Sequence, residues 1–539
     1  SGGGRTASRF DSPPPFPSPQ RAWEVRAEHV DGTRRRSLAA DREAVAGAVL
    51  EYNRKHNNVP EALAMAERLR DPEALVVVGG QQAGLFTGPL LVVYKALTIL
   101  RTAEDAERRL RRPVVPVFWI AGEDHDWDEA NHTYVVTPQL ELRKLDVPHP
   151  AGAAAAGRTS VSRTFVPPEA WDDALARLDA SLQETEFKAA VLDELRATLR
   201  SSGTLTDAFA KLMSRLFGKR GLVLIDSDDP LLRAAEGPMF RELAARRDEL
   251  AAALKEGERR VAELGFSPQA EVQEDGFQLF AFDGGERKLL FVSEDGQSAV
   301  DRRRSLRMPR EELVRLAGER PEMFSNNALT RPLMQEYVFP VLATVLGPSE
   351  IAYWSQLKEA FALFGFRTPV VVPRQQYTLL EGTVQKQMDK FGLTFDDVWR
   401  RFDERMAAWL KEQDEHGIAE RFAAAKASFE AEYRPLIELA ASINPGLGKL
   451  GETNLRKIAE QIEFMEGKTI DALKARHEAG LRQWERVRMT AAPAGRPQER
   501  VVNVFQYIVK YGFGWLDEWM DAARLNFEED WRPHEIVYL

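Results

Sequence analysis

Four short apolar runs, rich in β-branched residues, recur between positions 75 and 373 and predict buried strands. They are Leu75–Val78, Pro113–Ile120, Gly221–Asp226 and Phe366–Pro373. A glycine-rich loop, 79–88, follows the first run and leads into Leu90–Leu100, which predicts a helix buried on most sides with Pro89 at its first position. Strand, loop, helix and strand form a βαβ unit, so we expect a parallel sheet with a right-handed crossover.

Other segments have different periods. Apolar residues at Val45, Val49 and Tyr52 predict helix within 37–70, and 241–263 predicts a charged helix. Alternation across 276–292, around Asp283-Gly284-Gly285, predicts a β-hairpin.

Beyond residue 380 the aliphatic strands give way to helical spacing. One long helix is marked by Ile418, Phe422, Ala425, Phe429, Leu436 and Leu439. A break at Asn444-Pro445-Gly446 precedes Leu455, Ile458, Ile462 and Met465, whose spacing of 3, 4 and 3 is typical of a coiled-coil seam. Two helices joined in this way predict an antiparallel hairpin. The aromatic residues of the last forty positions indicate a segment that packs on another part of the chain.

We therefore predict an α/β protein with a parallel-sheet core, two insertions and a C-terminal helical hairpin. The expected divisions are an N-terminal arm over 1–36 (extended in 5–20), a first core half over 37–146, an insert over 147–220, a second core half over 221–384 with an insert near 260–320, a hairpin over 385–490 and a C-terminal segment over 491–539 that packs back on the core. The first insert opens with AGAAAAG, 151–157.

Composition narrows the function. The 539 residues are 44% hydrophobic and carry a net charge of −10, which argues against nucleic acid as the main partner. The absence of cysteine excludes disulfides, thiolate metal sites and a cysteine nucleophile. Neither an 18-residue apolar segment nor a basic-then-apolar leader occurs, so we expect a cytoplasmic protein without a membrane partner.

Three segments could carry chemistry. The loop 79–88 either brings backbone N–H groups and the side chains of Gln81, Gln82 and Thr87 to an anion, or simply makes a tight turn; it matches neither the dinucleotide fingerprint nor the Walker A loop. The segment EDHDWDEANH, 123–132, directly follows a strand, where ligands of open α/β sheets bind. It could hold a histidine acid or base, a metal, or only a helix cap.

The third segment is 325–374, where polar groups stand in apolar sequence. They are Asn326, Asn327, Arg331, Gln335, Glu350, Tyr353, Trp354, Gln356 and Arg374. Arg331 and Arg374 adjoin prolines and could present a guanidinium to a carboxylate or phosphate. Each residue alone could be an ordinary surface group, and their density is the signal.

Together these segments resemble one family. The stretches GGQQAGLFTGPL with Lys95, PVFWIAGEDHDWDEANH, and SNNALTRPLMQE…GPSEIAYWSQLKEAF…PR are similar to the BshC family of cysteine ligases in bacillithiol biosynthesis. The helical hairpin and QERVVN, 498–503, resemble it more loosely. The resemblance implies a Rossmann-like core related to class I aminoacyl-tRNA synthetases, two connecting inserts, and an antiparallel coiled coil linked to homodimerisation.

The resemblance also implies a reaction, the joining of L-cysteine to glucosaminyl malate through an amide bond. ATP, with Mg²⁺, is the expected activator, and no structural metal is expected. Candidate catalytic residues are His125 as the base, with Asp124 and Asp126. Candidate ligands of the malate carboxylates are Lys95, Arg331, Arg374 and the loop with Gly84, Thr87 and Gly88; those of the sugar are Asp124, Asp128, Asn131 and Gln356. Further binding candidates are Gln81, Gln82, Asn327, Gln335, Glu350 and Tyr353.

The sequence departs from the class I synthetases at both of their nucleotide motifs. At the H-I-G-H position it reads Phe86-Thr87-Gly88-Pro89, and K-M-S-K-S is absent. The mode of carboxyl activation therefore stays open. Two other functions also stay open, a metal-dependent hydrolase centred on His125, Asp126 and His132, and a non-enzymatic scaffold based on the helical hairpin.

Overall fold

A computed structural model describes residues 18–36, 38–152, 158–523 and 534–539. The chain divides into two compact units, one of residues 1–377 with 499–535 and one of 378–498 with 536–539. Most of the predicted extended arm and of the AGAAAAG stretch lies outside the described residues.

The secondary-structure elements have the following bounds. The strands are β1 (Leu75–Gln81), β2 (Val114–Ile120), β3 (His132–Val136), β4 (Leu142–Asp146), β5 (Val223–Asp226), β6 (Gly276–Asp283), β7 (Glu286–Val292), β8 (Ser298–Val300), β9 (Arg307–Pro309), β10 (Phe324–Asn326), β11 (Val341–Leu346), β12 (Val370–Pro373), β13 (Gln376–Leu380) and β14 (His534–Tyr538). The helices are α1 (Pro19–Arg36), α2 (Arg42–Lys55), α3 (Pro60–Glu67), α4 (Leu91–Leu110), α5 (Trp127–Ala130), α6 (Pro168–Ser181), α7 (Lys188–Arg200), α8 (Leu205–Phe217), α9 (Pro230–Ala245), α10 (Arg247–Glu263), α11 (Arg310–Glu319), α12 (Arg331–Val338), α13 (Pro348–Trp354), α14 (Lys358–Leu363), α15 (Gly382–Lys390), α16 (Phe395–Arg400), α17 (Phe402–Glu412), α18 (Ile418–Ile443), α19 (Gly446–Arg476), α20 (Glu478–Ala491), α21 (Phe505–Tyr511) and α22 (Phe513–Ala522).

The core of the first unit is a five-stranded sheet in the order β12-β11-β1-β2-β5. Every neighbouring pair is parallel, as the βαβ pattern predicts. All four predicted strands are present, and helix α4 lies between β1 and β2. Sequence analysis missed β11, although it is fully buried and pairs with both β1 and β12. Because the strands are parallel, their carboxyl ends share one edge of the sheet, and the loop that follows β1, the segment that follows β2 and the residues that follow β11 lie at that edge.

The amino-terminal region is not only an extended arm. Helix α1 begins at Pro19 and buries Trp23 and Arg26. The Arg26 guanidinium donates to the Glu336 carboxylate at 2.6 Å, and both side chains are buried. The prediction of extended structure over 5–20 is therefore wrong at residues 19 and 20, where α1 begins and packs its apolar face on the core.

Two smaller antiparallel sheets accompany the parallel sheet. One pairs β3 with β4, and the other has the order β10-β6-β7-β8-β9. The predicted hairpin is confirmed, with Asp283 opposite Glu286 and positive φ angles of 57° and 82° at Gly284 and Gly285. Glycine suits both positions because a two-residue turn of this hand needs left-handed backbone.

Residues 499–523 complete the first unit. The Trp519 ring lies 5.6 Å from that of Tyr94 on α4 and 5.3 Å from that of Tyr377. The aromatic residues near the end of the chain therefore pack on the core of this unit rather than facing solvent.

The second unit contains the predicted helical hairpin. Helices α18 and α19 run antiparallel, since Arg434 pairs with Glu452 at 3.3 Å and Asn454 donates to the Tyr433 hydroxyl at 2.6 Å. A separate apolar core surrounds Trp484, whose ring is stacked on Phe391 at 4.7 Å. The hairpin exposes large apolar side chains, with Leu436, Leu439, Ile443 and Leu450 near the turn and Phe464 and Met465 farther along α19.

Candidate active site

A cavity of about 380 Å³ opens at the carboxyl edge of the parallel sheet. Its lining includes these predicted site residues: Gln81, Gln82, Lys95, Asp124, Arg331, Gln335, Glu350, Tyr353 and Arg374. It also includes Trp119, Glu129 and Arg500, which were not predicted. Segments that are more than 200 positions apart thus form one polar cavity, as expected for ligand sites in open α/β sheets.

Lys95 joins two walls of this cavity. Its buried ammonium donates to the Gly80 carbonyl at 2.7 Å and to Glu350 Oε2 at 2.6 Å. Glu350 also accepts the Gly347 amide at 2.7 Å, so it fixes the start of α13. Burial, with the nearby Arg374 guanidinium, lowers the pKa of Lys95, although Glu350 acts to raise it. Lys95 therefore holds β1 and α13 together and offers little free charge to a ligand.

Asp124 is held as a carboxylate by its neighbours. It accepts Gln82 Nε2 at 2.6 Å and the His125 amide at 2.8 Å. Burial acts to raise the pKa of Asp124, but the charges of Arg331 and Arg287 outweigh it and the pKa is lowered. Asp124 is therefore an acceptor for hydroxyl or ammonium groups and a poor proton acceptor.

Beneath the cavity lies a buried ionic network centred on Glu123. Its fully buried carboxylate accepts Arg233 Nη2 at 2.6 Å and Arg331 Nε at 3.2 Å, as well as the Asn326 amide at 3.3 Å. Arg233 also pairs with Glu236 at 2.8 Å. This network fixes the orientation of Arg331, whose remaining donors face the cavity.

Two further arginines line the cavity, and they differ in whether the guanidinium is already paired with a carboxylate. Arg374 makes a two-pronged pair with the buried Glu499 at 3.0 and 3.1 Å. Arg500, the next residue, is exposed and forms no ion pair within the described part of the chain. Arg374 is therefore largely a structural cation, whereas Arg500 is available to an anionic ligand.

His125, the predicted base, is engaged elsewhere. Its Nδ1 lies 2.7 Å from Arg287 Nη1, and because a guanidinium has only donors, Nδ1 must accept. In a neutral imidazole the hydrogen is then on Nε2, so no free lone pair remains. Burial and the Arg287 charge lower the pKa of His125, which also disfavours the imidazolium. His125 does not line the cavity, and this geometry does not support its assignment as the base.

The glycine loop is a packed turn rather than an anion cradle. Gly84 and Gly88 are in such close contact that a Cβ on Gly84 would lie 2.7 Å from the Gly88 Cα. Phe86 and Thr87 have φ angles of 50° and 74°, and Thr87 is fully buried. The Asn503 side chain donates to the carbonyls of Phe86 and Gly88 at 2.8 Å each. Only 80–82 of this loop lines the cavity, so the assignment of Gly84, Thr87 and Gly88 to binding is corrected.

Five other predicted residues lie outside the cavity lining. Asp126 caps α5 by accepting the Glu129 amide at 3.1 Å, and Asp128 is exposed. Asn131 donates to the Val147 carbonyl at 3.0 Å, while Asn327 donates to Gln278 Oε1 at 2.7 Å. Gln356 is fully buried, and its Oε1 accepts two backbone amides at 2.9 Å. Asp126, Asn131 and Gln356 therefore satisfy backbone groups, which is a frequent role of polar side chains in a folded protein.

The metal-dependent hydrolase finds no support in the described geometry. Across residues 18–36, 38–152, 158–523 and 534–539, no group of three or more His, Asp or Glu side chains could hold a metal ion. His132, a ligand in the hydrolase alternative, instead contacts Asn131 Oδ1 at 3.2 Å. None of the described helices is both long and apolar enough to span a bilayer.

The comparisons with known proteins agree with one another. The sequence model of the N-terminal Rossmann-like domain of BshC matches residues 16–375, and that of its C-terminal coiled-coil domain matches 377–539. A Geobacillus thermodenitrificans protein named "Putative cysteine ligase BshC" is 39% identical over 501 residues, covering 93% of this chain and 91% of the relative. Relatives of the same name from Symbiobacterium thermophilum and Bacillus licheniformis are 37% and 36% identical, each covering 96% of this chain and 93% of the relative.

The chain belongs to the BshC family. The resemblance inferred from the three motif segments is thereby confirmed, and so is the Rossmann-like core with a C-terminal coiled-coil domain.

Several residues of this BshC site escaped the sequence analysis. Glu123 is in the same acidic segment as Asp124, but nothing in the sequence distinguishes the buried carboxylate from the exposed ones. Glu499, Arg500 and Asn503 lie in the QERVVN segment, whose family resemblance was the available signal. Arg287 lies in a strand of the insert, and no local pattern connects it with His125.

Two acids beside the buried Glu123 network, Asp226 and Asp228, predict that the stability of the protein depends on pH. Burial and the neighbouring Asp228 raise the pKa of Asp226 to about 8, and its carboxyl group contacts Ser162 Oγ at 2.7 Å. Between the unfolded pKa near 4 and the folded value the native state holds the extra proton, so stability falls as pH rises. We expect Asp226→Asn to remove this slope, which is at most about 1.4 kcal/mol per pH unit.

Urea unfolding of the wild type and of Asp226→Asn at pH 5, 6.5 and 8 measures this effect. The stability difference, variant minus wild type, should rise with pH. A constant difference would show that Asp226 is already ionised in the native state.

Proposed function

We propose that the protein joins L-cysteine to glucosaminyl malate through an amide bond, the last step of bacillithiol formation, with ATP as the activator. The observation that carries the proposal is the cavity itself, whose lining combines Arg331, Arg374 and Arg500 with Asp124 and Glu129. Support also comes from the relatives, which are named as cysteine ligases.

The chemistry of the acceptor matches this arrangement. Its malate group carries two carboxylates, for which guanidinium groups are suitable two-pronged donors. The sugar amine and hydroxyls require acceptors, and the carboxylates with Gln81 and Gln82 provide them. A cavity of about 380 Å³ falls within the usual size range of small-molecule sites.

Activation of the cysteine carboxylate requires a co-reactant, because a carboxylate and an ammonium do not condense spontaneously in water. Transfer of a phosphoryl or adenylyl group from ATP would convert the carboxylate oxygen into a leaving group. The amine then attacks the carbonyl carbon and the C–N bond forms. Phosphate or AMP departs with the electron pair of the C–O bond, and the nitrogen loses a proton to that leaving group or to water. The cations of the cavity would stabilise the charge on that leaving group.

The direct test supplies purified protein with ATP, Mg²⁺, L-cysteine and glucosaminyl malate and detects bacillithiol by thiol labelling and mass spectrometry. We expect product formation that depends on each component. Product formation without ATP would refute the role of ATP as the activator. The absence of product with every component present would refute the ligase activity.

Arg500 provides a prediction about substrate binding. Replacing it with Met should weaken binding of glucosaminyl malate about tenfold, because one charge-assisted hydrogen bond is lost. The thermal midpoint should not change, since the Arg500 side chain is exposed and has no described ionic partner.

Isothermal titration calorimetry measures this affinity. Arg496→Met is the matched control, because Arg496 is exposed in the same segment and does not line the cavity. If Arg500→Met and Arg496→Met had equal affinities for glucosaminyl malate, Arg500 would not be a substrate ligand.

We also propose that the second unit mediates homodimerisation. The apolar side chains exposed near the turn of the hairpin form the kind of surface that marks a protein interface. Replacing both Leu439 and Ile443 with Glu should convert dimer into monomer, because charges would be buried at the contact. Sedimentation velocity measures the change, with Lys457→Glu, an exposed position on α19, as control. An unchanged dimer in the double variant would place the interface elsewhere.

A further inference from the structure

Glu129 occupies an unusual position among the acids of the cavity. It lies on α5, the four-residue helix that follows β2, and its amide is held by the Asp126 cap at 3.1 Å. Its side chain lines the cavity beside Gln82 and Asp124. The cap and the preceding strand fix the backbone from which this carboxylate extends.

The other two cavity carboxylates are already engaged. Asp124 accepts Gln82 and the His125 amide, and Glu350 accepts the Lys95 ammonium and the Gly347 amide. Glu129, in contrast, forms no ion pair with any residue that the structure describes. Its carboxylate accepts a hydrogen bond from Gln82 but has no charged partner among the described residues, so of the three cavity carboxylates it is the one best able to receive a proton.

Unpaired polar atoms around Glu129 point independently to a ligand. The Trp119 indole Nε1 has no hydrogen-bond partner, although Trp119 is fully buried and lines the cavity. Gln82 Oε1 is buried and also unpaired. Leaving a buried donor and a buried acceptor unsatisfied destabilises a protein by about 1–3 kcal/mol each, so a bound molecule with both an acceptor and a donor explains them.

We propose that Glu129 is the general base that takes a proton from the primary ammonium of the acceptor sugar. This inference rests on the proposed ligase function. In the step, one N–H bond of the ammonium breaks and its proton passes to a Glu129 oxygen. The freed nitrogen lone pair attacks the cysteinyl carbonyl, which a nucleoside triphosphate has activated. The leaving group departs with the electron pair of its C–O bond, and the new C–N nitrogen gives up its second proton to the departing phosphate oxygen or to water, which leaves the neutral amide.

The surroundings of Glu129 are compatible with this role. Glu129 is exposed as a residue, but the surrounding protein partly desolvates its carboxylate and raises its pKa, and the Asp124 and Asp126 carboxylates raise it further, while Arg331 and a hydrogen bond from Gln82 lower it. The remaining titratable or charged groups of the cavity are Lys95, Glu350, Tyr353, Arg374 and Arg500. A carboxylate with a raised pKa is a stronger base. The raised pKa reduces the gap between the pKa of Glu129 and that of the ammonium from which it takes the proton.

The experiment compares Glu129→Gln, Glu129→Asp and the wild type in steady-state bacillithiol formation between pH 5.5 and 9. Loss of a general base lowers kcat by about 100-fold or more, so we expect that loss in Glu129→Gln with a smaller change in KM for the acceptor. The wild-type rate should rise with pH through the pKa of Glu129, and this acidic limb should be absent from the residual Gln activity. Glu129→Asp, which keeps the carboxylate, should recover part of kcat and the limb.

Glu311→Gln is the matched control, because Glu311 is also in the first turn of a helix and is exposed. It should behave as the wild type. If the wild type forms product and Glu129→Gln keeps its kcat and pH profile, the base assignment is overturned and the ligase function stands. If the wild type forms no product with every substrate present, both fail. A parallel fall in Gln and Asp variants with an unchanged pH profile would indicate a structural role and would also overturn the assignment.

Discussion

Replacing Glu123 with Ala is expected to lower the free energy of unfolding of the first unit by about 3–5 kcal/mol, because it leaves buried cations without a partner. The fully buried Glu123 carboxylate accepts both Arg233 and Arg331. Glu123→Gln should be less destabilising, since the amide oxygen can still accept the Asn326 amide. Urea denaturation followed by tryptophan fluorescence measures the loss.

The control for this prediction is Glu319→Ala. Glu319 pairs with Arg315 at 2.7 Å, but both side chains are about half exposed, and exposed pairs of this kind contribute about 1 kcal/mol or less. If the two alanine variants were equally stable, the Glu123 network would not be a buried ionic network in solution.

The Arg374–Glu499 pair is the basis of the second large effect. Replacing Arg374 with Met should lower the free energy of unfolding by about 3–5 kcal/mol, because Glu499 would remain buried without a counter-charge. Removal of both charges, as Arg374→Met with Glu499→Gln, should recover most of the loss. A double-mutant cycle in urea measures the coupling between the two side chains.

Arg315→Met is the exposed counterpart and should change stability by less than about 1 kcal/mol. Additive effects of the Arg374 and Glu499 substitutions would contradict the described pair. The contrast with Arg500→Met is informative, since that variant should lose substrate affinity and keep its stability. Of two adjacent residues, Glu499 would then contribute to stability and Arg500 to substrate binding.

Much of the fold follows from local patterns. The parallel strands are continuous apolar runs because both faces are covered, and the Gly284-Gly285 turn needs left-handed backbone. Strand β11 was missed because its apolar run stands among the polar candidates of 325–374, which drew the interpretation toward chemistry. Helix α1 was missed because the proline-rich sequence before it suggested an extended arm.

The site was predictable only in outline. The sequence placed Gln82 and Asp124 near one another because the ends of parallel strands share an edge, whereas Arg331 was singled out only by the density of polar groups in 325–374. It could not tell which polar groups face the cavity and which satisfy the backbone, as Gln356 does. Nor could it foresee that Arg287, from a distant strand, occupies the accepting nitrogen of His125. Such pairings depend on tertiary contacts that leave no local periodicity.

The hydrogen bonds from the Asn503 side chain to the glycine loop have a consequence for synthesis on the ribosome. Asn503 lies 415 residues beyond Gly88, whose carbonyl it holds, and the neighbouring Arg500 completes the cavity wall. At about 5–20 residues per second, roughly 20–80 s separate translation of the loop from translation of Asn503. A nascent chain that ends before Asn503 lacks these hydrogen bonds to the loop. The cavity can therefore form completely only when elongation is almost finished.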